Sequence, residues 1–219
     1  MHGKNFYKEI YNRDYFTGKN SFFYGLGYGS FSKLYFNNIF KPIVQFVGGI
    51  KNGRVLDIGC AYGFMLQKFP DSWQKFGVDV SEYAINIAQK RLPKTIFVVK
   101  NVERSLPFKE NFFDVILLND VLEHLKNPQA ALKNVYKILK KEGVLYITTP
   151  NLTTPRKTLF RYADEKEHHI SMFSHSELKN LLNTLGFRVK EHWTFIDLFV
   201  CFLRFRSNAG IDSAFICKK

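Results

Sequence analysis

Residues 54–63, RVLDIGCAYG, decide how the rest of the chain is read. Val55, Leu56 and Ile58 make the short apolar run that a buried parallel strand needs, and Gly59, Ala61 and Gly63 supply small residues for a tight turn. Residues 64–69 continue with a helical pattern, so the stretch reads as a strand, a ligand loop and a helix N-terminus.

The charge on this loop narrows the ligand. A dinucleotide site wants G-x-G-x-x-G, whose backbone amides face a pyrophosphate. Here the spacing is Gly59-x-Ala61-x-Gly63, and Asp57 stands two residues before the first glycine, where it would repel phosphate. The same carboxylate suits a ligand with a cationic amine and a cationic sulfonium, since opposite charges in a partly dry site attract by about several kcal/mol before desolvation. S-adenosylmethionine is such a ligand.

Residues 73–80, WQKFGVDV, read as a second strand with Asp79 near its end, 22 positions beyond Asp57. A carboxylate there can accept two hydrogen bonds from ribose hydroxyls. Ser81 then fits as N-cap of a helix with Ala84, Ile85 and Ala88 on one face. With these residues in place the chain resembles the class I S-adenosylmethionine-dependent methyltransferases. The resemblance covers residues 55–187 and is strongest over 55–63 and 76–88. It implies an α/β, Rossmann-like sheet of seven strands, mostly parallel with the last strand antiparallel, and helices on both faces.

A chain of 219 residues with 46% hydrophobic composition holds one domain of ordinary size and a sizeable core. No run approaches the roughly 18–20 apolar residues of a membrane span, and the first residues lack the apolar centre of a signal peptide, so a cytoplasmic protein is expected. Cys60, Cys201 and Cys217 are odd in number and lack C-x-x-C spacing, which suggests neither a disulfide framework nor a zinc site. The formal net charge of +13 leaves nucleic acid, anionic lipid or acidic substrates open as partners. The basic residues are nevertheless scattered, with no Arg-rich arm, and lysine-rich solubility is the simpler reading.

Thirteen Phe and Tyr residues fall within the first forty positions, too many for a solvated tail. Phe6, Tyr7 and Tyr11 fit a short helical face, residues 14–29 a glycine-hinged aromatic loop, and residues 32–47 an amphipathic helix. That helix turns Leu34, Tyr35, Ile39, Ile43, Phe46 and Val47 inward, with a kink at Pro42. The division expected is an N-terminal helical lid over 1–50 and a cofactor-binding domain over 51–219. Tyr24 and Tyr28 are candidate ligand contacts; the alternative is that these aromatics only pack the helix onto the sheet.

Residues 95–99 form a third strand, followed by Asn101 and Val102 at the carboxyl edge where ligands of open α/β sheets sit. Residues 112–119, FFDVILLN, read as a central fourth strand ending in Asn119, and Asp120, Glu123 and His124 follow at its tip. That tip is similar to the Asp-x-x-Glu-His stretch of small-molecule methyltransferases related to the ubiquinone-biosynthesis O-methyltransferases. The resemblance implies either a Mg²⁺ site at Asp120, Glu123 and His124 or a histidine that pins the loop and positions the acceptor. A helix over 128–139, a fifth strand from Gly143 and a polar loop over 151–157 come next. The block 167–174, EHHISMFS, precedes a helix with Ser174 as N-cap and Glu177 as its capping-box partner. Residues 187–193 give a sixth strand, and 212–218 a seventh that inserts antiparallel between the fifth and sixth. Between them, 194–210 is read as an accessory helix that packs, lines the acceptor pocket, or lies on a membrane or partner surface.

The activity implied is in-line methyl transfer to an oxygen, less readily a nitrogen, of a small-molecule acceptor, with S-adenosylhomocysteine as product. Asp57, Gly59, Ala61 and Gly63 would hold the methionine portion, Asp79 the ribose, and Asn101 and Val102 the adenine, with Cys60, Val80 and Asn119 also expected at the cofactor. His124, His168 and His169 are the candidates for proton removal. Two rivals stand beside this: a nucleic-acid methyltransferase, although the Asn/Asp-Pro-Pro-aromatic clamp of base-flipping enzymes is not present after the fourth strand, and a non-catalytic protein that binds S-adenosylmethionine.

Overall fold

The computed structural model describes residues 6–22, 24, 28–197 and 202–219. The side chains of 30–34, 197 and 202 are outside that description, so the inward face expected at Leu34 is too, as are Phe199, Val200 and Cys201.

Five strands lie parallel: β1 (Arg54–Ile58), β2 (Gln74–Asp79), β3 (Ile96–Val99), β4 (Phe113–Asn119) and β5 (Leu139–Pro150). With β6 (Arg188–Asp197), β7 (Phe202–Phe205) and β8 (Asp212–Lys218) they make one sheet in the order β3-β2-β1-β4-β5-β8-β6-β7. As expected, β8 inserts antiparallel between β5 and β6. The sheet has eight strands, not seven. The segment expected to form an accessory helix instead continues β6 and returns as β7, with Thr194 opposite Phe205 and Asp197 opposite Phe202. Residues 203–206, Leu-Arg-Phe-Arg, alternate apolar with basic side chains, and that period of two belongs to a strand.

Alternation along the strands feeds two cores. On one face, Leu56, Ile58, Ile116, Leu118, Leu145 and Ile147 pack with Leu132 and Val135 of α5 (Pro128–Ile138) and Leu178 and Leu182 of α8 (His175–Thr184). On the other, Val55, Val115, Leu117, Tyr146 and Trp193 pack with Ile39, Ile43 and Val47 of α3 (Tyr28–Val47) and Ile85 of α4 (Glu82–Arg91). Helices therefore cover both faces. Truncating a fully buried leucine such as Leu132 costs about 2–5 kcal/mol in cores of this kind.

Local signals were mostly kept. Ser81 caps α4 through the Ala84 amide at 3.2 Å, and Ser174 and Glu177 close the capping box of α8. Two were not. Residues 64–69 form only one 3₁₀ turn, Leu66–Lys68, because Phe69 precedes Pro70 and is extended (φ −81°, ψ 145°). The polar loop expected over 151–157 runs into α6 (Thr154–Leu159), which Thr153 caps with Pro155 in its first turn, and α7 (Arg161–Lys166) follows. The N-terminal aromatics form α1 (Phe6–Ile10) and α2 (Arg13–Phe16), the latter capped by the Asn12 side chain.

Candidate active site

The turn after β1 is built from left-handed backbone. Gly59 has φ +72°, and a Cβ there would meet Val121 Cγ2 at 2.4 Å, so no larger residue fits. Ala61 at φ +43° completes the bend. Asp79 fixes the loop: its Oδ2 accepts from the Ala61 amide and its Oδ1 from the Ser81 amide, each at 2.9 Å. One carboxylate thus joins the β1 loop to the start of α4, with lone pairs left over for a ligand.

This loop borders a cavity of ≈ 510 Å³. Asp57, Gly59, Cys60, Ala61, Asp79, Val80, Asn101, Val102 and Asn119 all line it; Gly63 does not, and faces Leu92, Ala88 and Phe97 instead. Burial, and then the neighbouring Asp79, push the Asp57 carboxyl well above the usual range. Asn101 is turned in a local loop, its Oδ1 accepting from the Glu103 amide at 2.8 Å and its Nδ2 donating to Glu103 Oε2 at 3.0 Å. Asn119 Nδ2 is buried and has no hydrogen-bond partner among the described residues.

The far end of the cavity is formed by residues after β4 and by the block before α8. Asp120, at φ +51°, accepts from Tyr35 Oη at 2.5 Å and Thr148 Oγ1 at 3.1 Å. Glu123 accepts from Thr149 Oγ1 at 3.0 Å through Oε2, while its Oε1 is buried without a partner among the described residues. The Glu123 carbonyl accepts from the amides of Ile170 and Ser171, which staples the two segments together. His124 stands 4.8 Å from His169, ring centroid to centroid. Burial, with His169 beside it, lowers the His124 pKa to about 3, so its ring is neutral. His169 Nδ1 lies 2.8 Å from Asp164 Oδ1. Although burial opposes it, hydrogen bonds from His169 and Arg156 hold Asp164 below its ordinary range.

Of the three candidate bases, His124 and His169 reach the cavity and His168 does not: at φ +59° it is turned outward and exposed. Among the described residues, the donors that come within 4.8 Å of one another in metal-ligand fashion are Glu123, His124 and His169, so His169 stands where Asp120 was expected.

The sequence reading missed several residues that the fold brings to the cavity. Tyr7, Tyr11, Tyr15 and Tyr35 wall it along with Tyr24 and Tyr28. Glu167 accepts from Ser21 Oγ at 2.6 Å and from the Phe22 amide, tying the N-terminal segment to the block before α8. Arg156, buried, donates to Asp164 at 2.6 Å and Asp212 at 3.0 Å. The aromatic density of the first forty residues was the only available signal for the wall; nothing in the sequence marked Arg156.

The fold and the site together define a Rossmann-like domain with an acidic cofactor loop. A family model described as a methyltransferase domain matches residues 33–192, and the chain belongs to that family. It is 32% identical over 145 residues to an uncharacterized protein of Methanocaldococcus jannaschii, covering 64% of this chain and 66% of that one. It is 26% identical over 117 residues to the ubiquinone biosynthesis O-methyltransferase of Yersinia enterocolitica, covering 51% of this chain and 48% of the relative. The chain therefore spans about half the length of that O-methyltransferase. A methyltransferase structure from Archaeoglobus fulgidus superposes with TM-score 0.69 at 23% identity, over 90% of this chain and 100% of that one, and shares the fold. Among the described residues, no helix is long and apolar enough to cross a membrane.

Proposed function

We propose that this domain transfers a methyl group from S-adenosylmethionine to a small-molecule acceptor, at an oxygen in preference to a nitrogen. The observation that carries the reading is a single cavity that joins the Asp57 and Asp79 loop to the His124 and His169 pair. The names of two relatives support oxygen as the acceptor: a ubiquinone biosynthesis O-methyltransferase and a malonyl-[acyl-carrier protein] O-methyltransferase of Bacillus cytotoxicus, the latter 28% identical over 143 residues.

The residues at the loop end fit the cofactor. Asp57 is a buried carboxyl group that a cationic ligand would hold ionised, Asp79 keeps lone pairs for ribose hydroxyls, and Asn119 Nδ2 is a buried donor without an acceptor among the described residues. Asn101 and Val102 border the place for the adenine. Bound there, S-adenosylmethionine supplies an electrophilic methyl group. The chain's part is then to orient the acceptor, exclude water and take a proton. Tyr11, Tyr15, Tyr24 and Tyr28 close the cavity as a lid. His169, with Nδ1 occupied by Asp164, offers Nε2 as the acceptor of a hydroxyl proton, and neutral His124 beside it avoids like-charge repulsion.

Calorimetric titration with S-adenosylmethionine and S-adenosylhomocysteine, beside Asp79→Ala, tests the cofactor site. Micromolar binding that the variant loses is expected, followed by turnover of hydroxylated acceptors, screened with and without Mg²⁺. A folded wild type that binds neither ligand would overturn the reading.

A further inference from the structure

Among the described residues, carboxyl groups outnumber Arg and Lys side chains at the acceptor end. Asp120, Glu123, Glu167 and Asp212 line it, and the basic group among them, Arg156, is already bonded to Asp164 and Asp212. Groups that would otherwise receive an anion are spent on the protein's own oxygens: Tyr35 Oη on Asp120, Ser21 Oγ and the Phe22 amide on Glu167, and the Ile170 and Ser171 amides on the Glu123 carbonyl.

Within this cluster Glu123 is singular. The residue is 1% exposed and lines the cavity, yet its Oε1 meets no hydrogen-bond donor among the described residues. A buried carboxylate oxygen is costly unless something satisfies it.

The walls supply the second half of a cation site. Tyr11 and Tyr15 meet edge to face at 5.0 Å, Tyr15 and Tyr24 at 5.6 Å, and Tyr24 and Tyr28 at 4.9 Å, and Tyr11 also meets the His124 ring at 5.4 Å. Clustered aromatic faces attract ammonium groups electrostatically and provide apolar area for the carbon attached to them.

We propose that the acceptor end selects a molecule carrying a protonated amine, seated between the free oxygen of Glu123 and the tyrosine rings, and turns away carboxylates and phosphates. This rests on reading the cavity as the methyl-acceptor site. The rival occupant is a divalent ion held by Glu123, His124 and His169.

The test uses the full chain saturated with S-adenosylhomocysteine, so that the cofactor's own ammonium is already in place, in the presence of EDTA. Two sets of ligands are titrated by calorimetry: dopamine against 4-methylcatechol and 3,4-dihydroxyphenylacetate, and glucosamine against glucose and glucuronate. At least one amine should bind about 10-fold tighter than its neutral counterpart and about 100-fold tighter than its acid. Glu123→Gln should shrink the preference over the neutral ligand to about threefold or less while the affinity for S-adenosylhomocysteine stays unchanged, which also reports that the variant folds. The proposal is overturned if no amine binds, if acids or neutral ligands bind as tightly, if Glu123→Gln keeps the preference, or if selectivity appears only with added Mg²⁺ and ignores the amine. Failure of S-adenosylhomocysteine itself to bind would instead overturn the methyltransferase reading on which the proposal stands.

Discussion

His169 donates its Nδ1 hydrogen to Asp164 Oδ1 at 2.8 Å, and that bond decides which nitrogen of the ring is left for a substrate. Asp164 is held as a carboxylate by His169 and Arg156 against the effect of burial, so it must be the acceptor, and Nε2 of His169 is the basic atom.

Asp164→Asn removes the charge that holds this tautomer and leaves Arg156 with Asp212 alone. A positioned base contributes roughly 10²- to 10⁴-fold, so loss of its orientation should lower kcat by about 10- to 100-fold with little change in the affinity for S-adenosylmethionine. The pH profile of kcat should move as well, since the base has lost its partner. A variant with wild-type kcat and an unmoved profile would exclude His169 as the proton acceptor.

Burial lowers His124 to about 3 from 6.5, so the unfolded chain binds a proton that the folded one refuses between those values. The sign follows: stability from this residue is complete above pH 6.5 and is lost as the pH falls toward 3. Buried Asp120 and Glu123, raised instead, act in the opposite sense, which makes the difference between two proteins the useful measurement. From pH 7 to 5 the wild type should lose about 2 kcal/mol more stability than His124→Gln, read from urea denaturation at each pH. Parallel pH dependences in the two would show that His124 is not buried neutral.

Tyr35 connects the N-terminal region to the site through its 2.5 Å bond to Asp120, linking α3 to a left-handed residue at the tip of β4. Tyr35→Phe keeps the ring and strips one donor from a buried carboxylate, so a loss of about 1.5–3 kcal/mol is expected in chemical denaturation. The affinity for S-adenosylhomocysteine should be nearly unchanged, because Asp57 and Asp79 do not depend on this bond. A change below about 0.5 kcal/mol would show that Asp120 is satisfied without Tyr35.

Much of this was legible in the chain because the signals are local. The alternation of Val55 and Leu56 between two cores, the Ser81 cap and the Ser174–Glu177 box each depend on residues within a few positions. What was lost depends on distance or on one backbone angle. His168 and His169 are adjacent and chemically identical; the left-handed turn at His168 sends one to solvent and the other to the cavity, and sequence carries no sign of which. Arg156 finds Asp212 from 56 positions away. The 194–210 segment had a readable period of two in residues 203–206, and its abundance of aromatics masked it.

Gly59 carries the strictest steric demand at the site. Its φ of +72° disfavours any side chain, and a Cβ would stand 2.4 Å from Val121 Cγ2, inside any real contact. Because Gly59 and Cys60 both donate to the Val78 carbonyl, the loop cannot swing away without breaking bonds to β2, and Val121 is the side that must yield. Gly59→Ala should therefore cost about 1–3 kcal/mol and weaken S-adenosylmethionine binding by about 10-fold or more. Adding Val121→Ala opens the space but leaves the angle, so the double variant should recover part of the stability and not all of it. Full recovery would assign the whole cost to the contact, and no recovery would assign it to the backbone; a Gly59→Ala protein as stable and as tight-binding as the wild type would mean that the loop adopts another conformation when the cofactor binds.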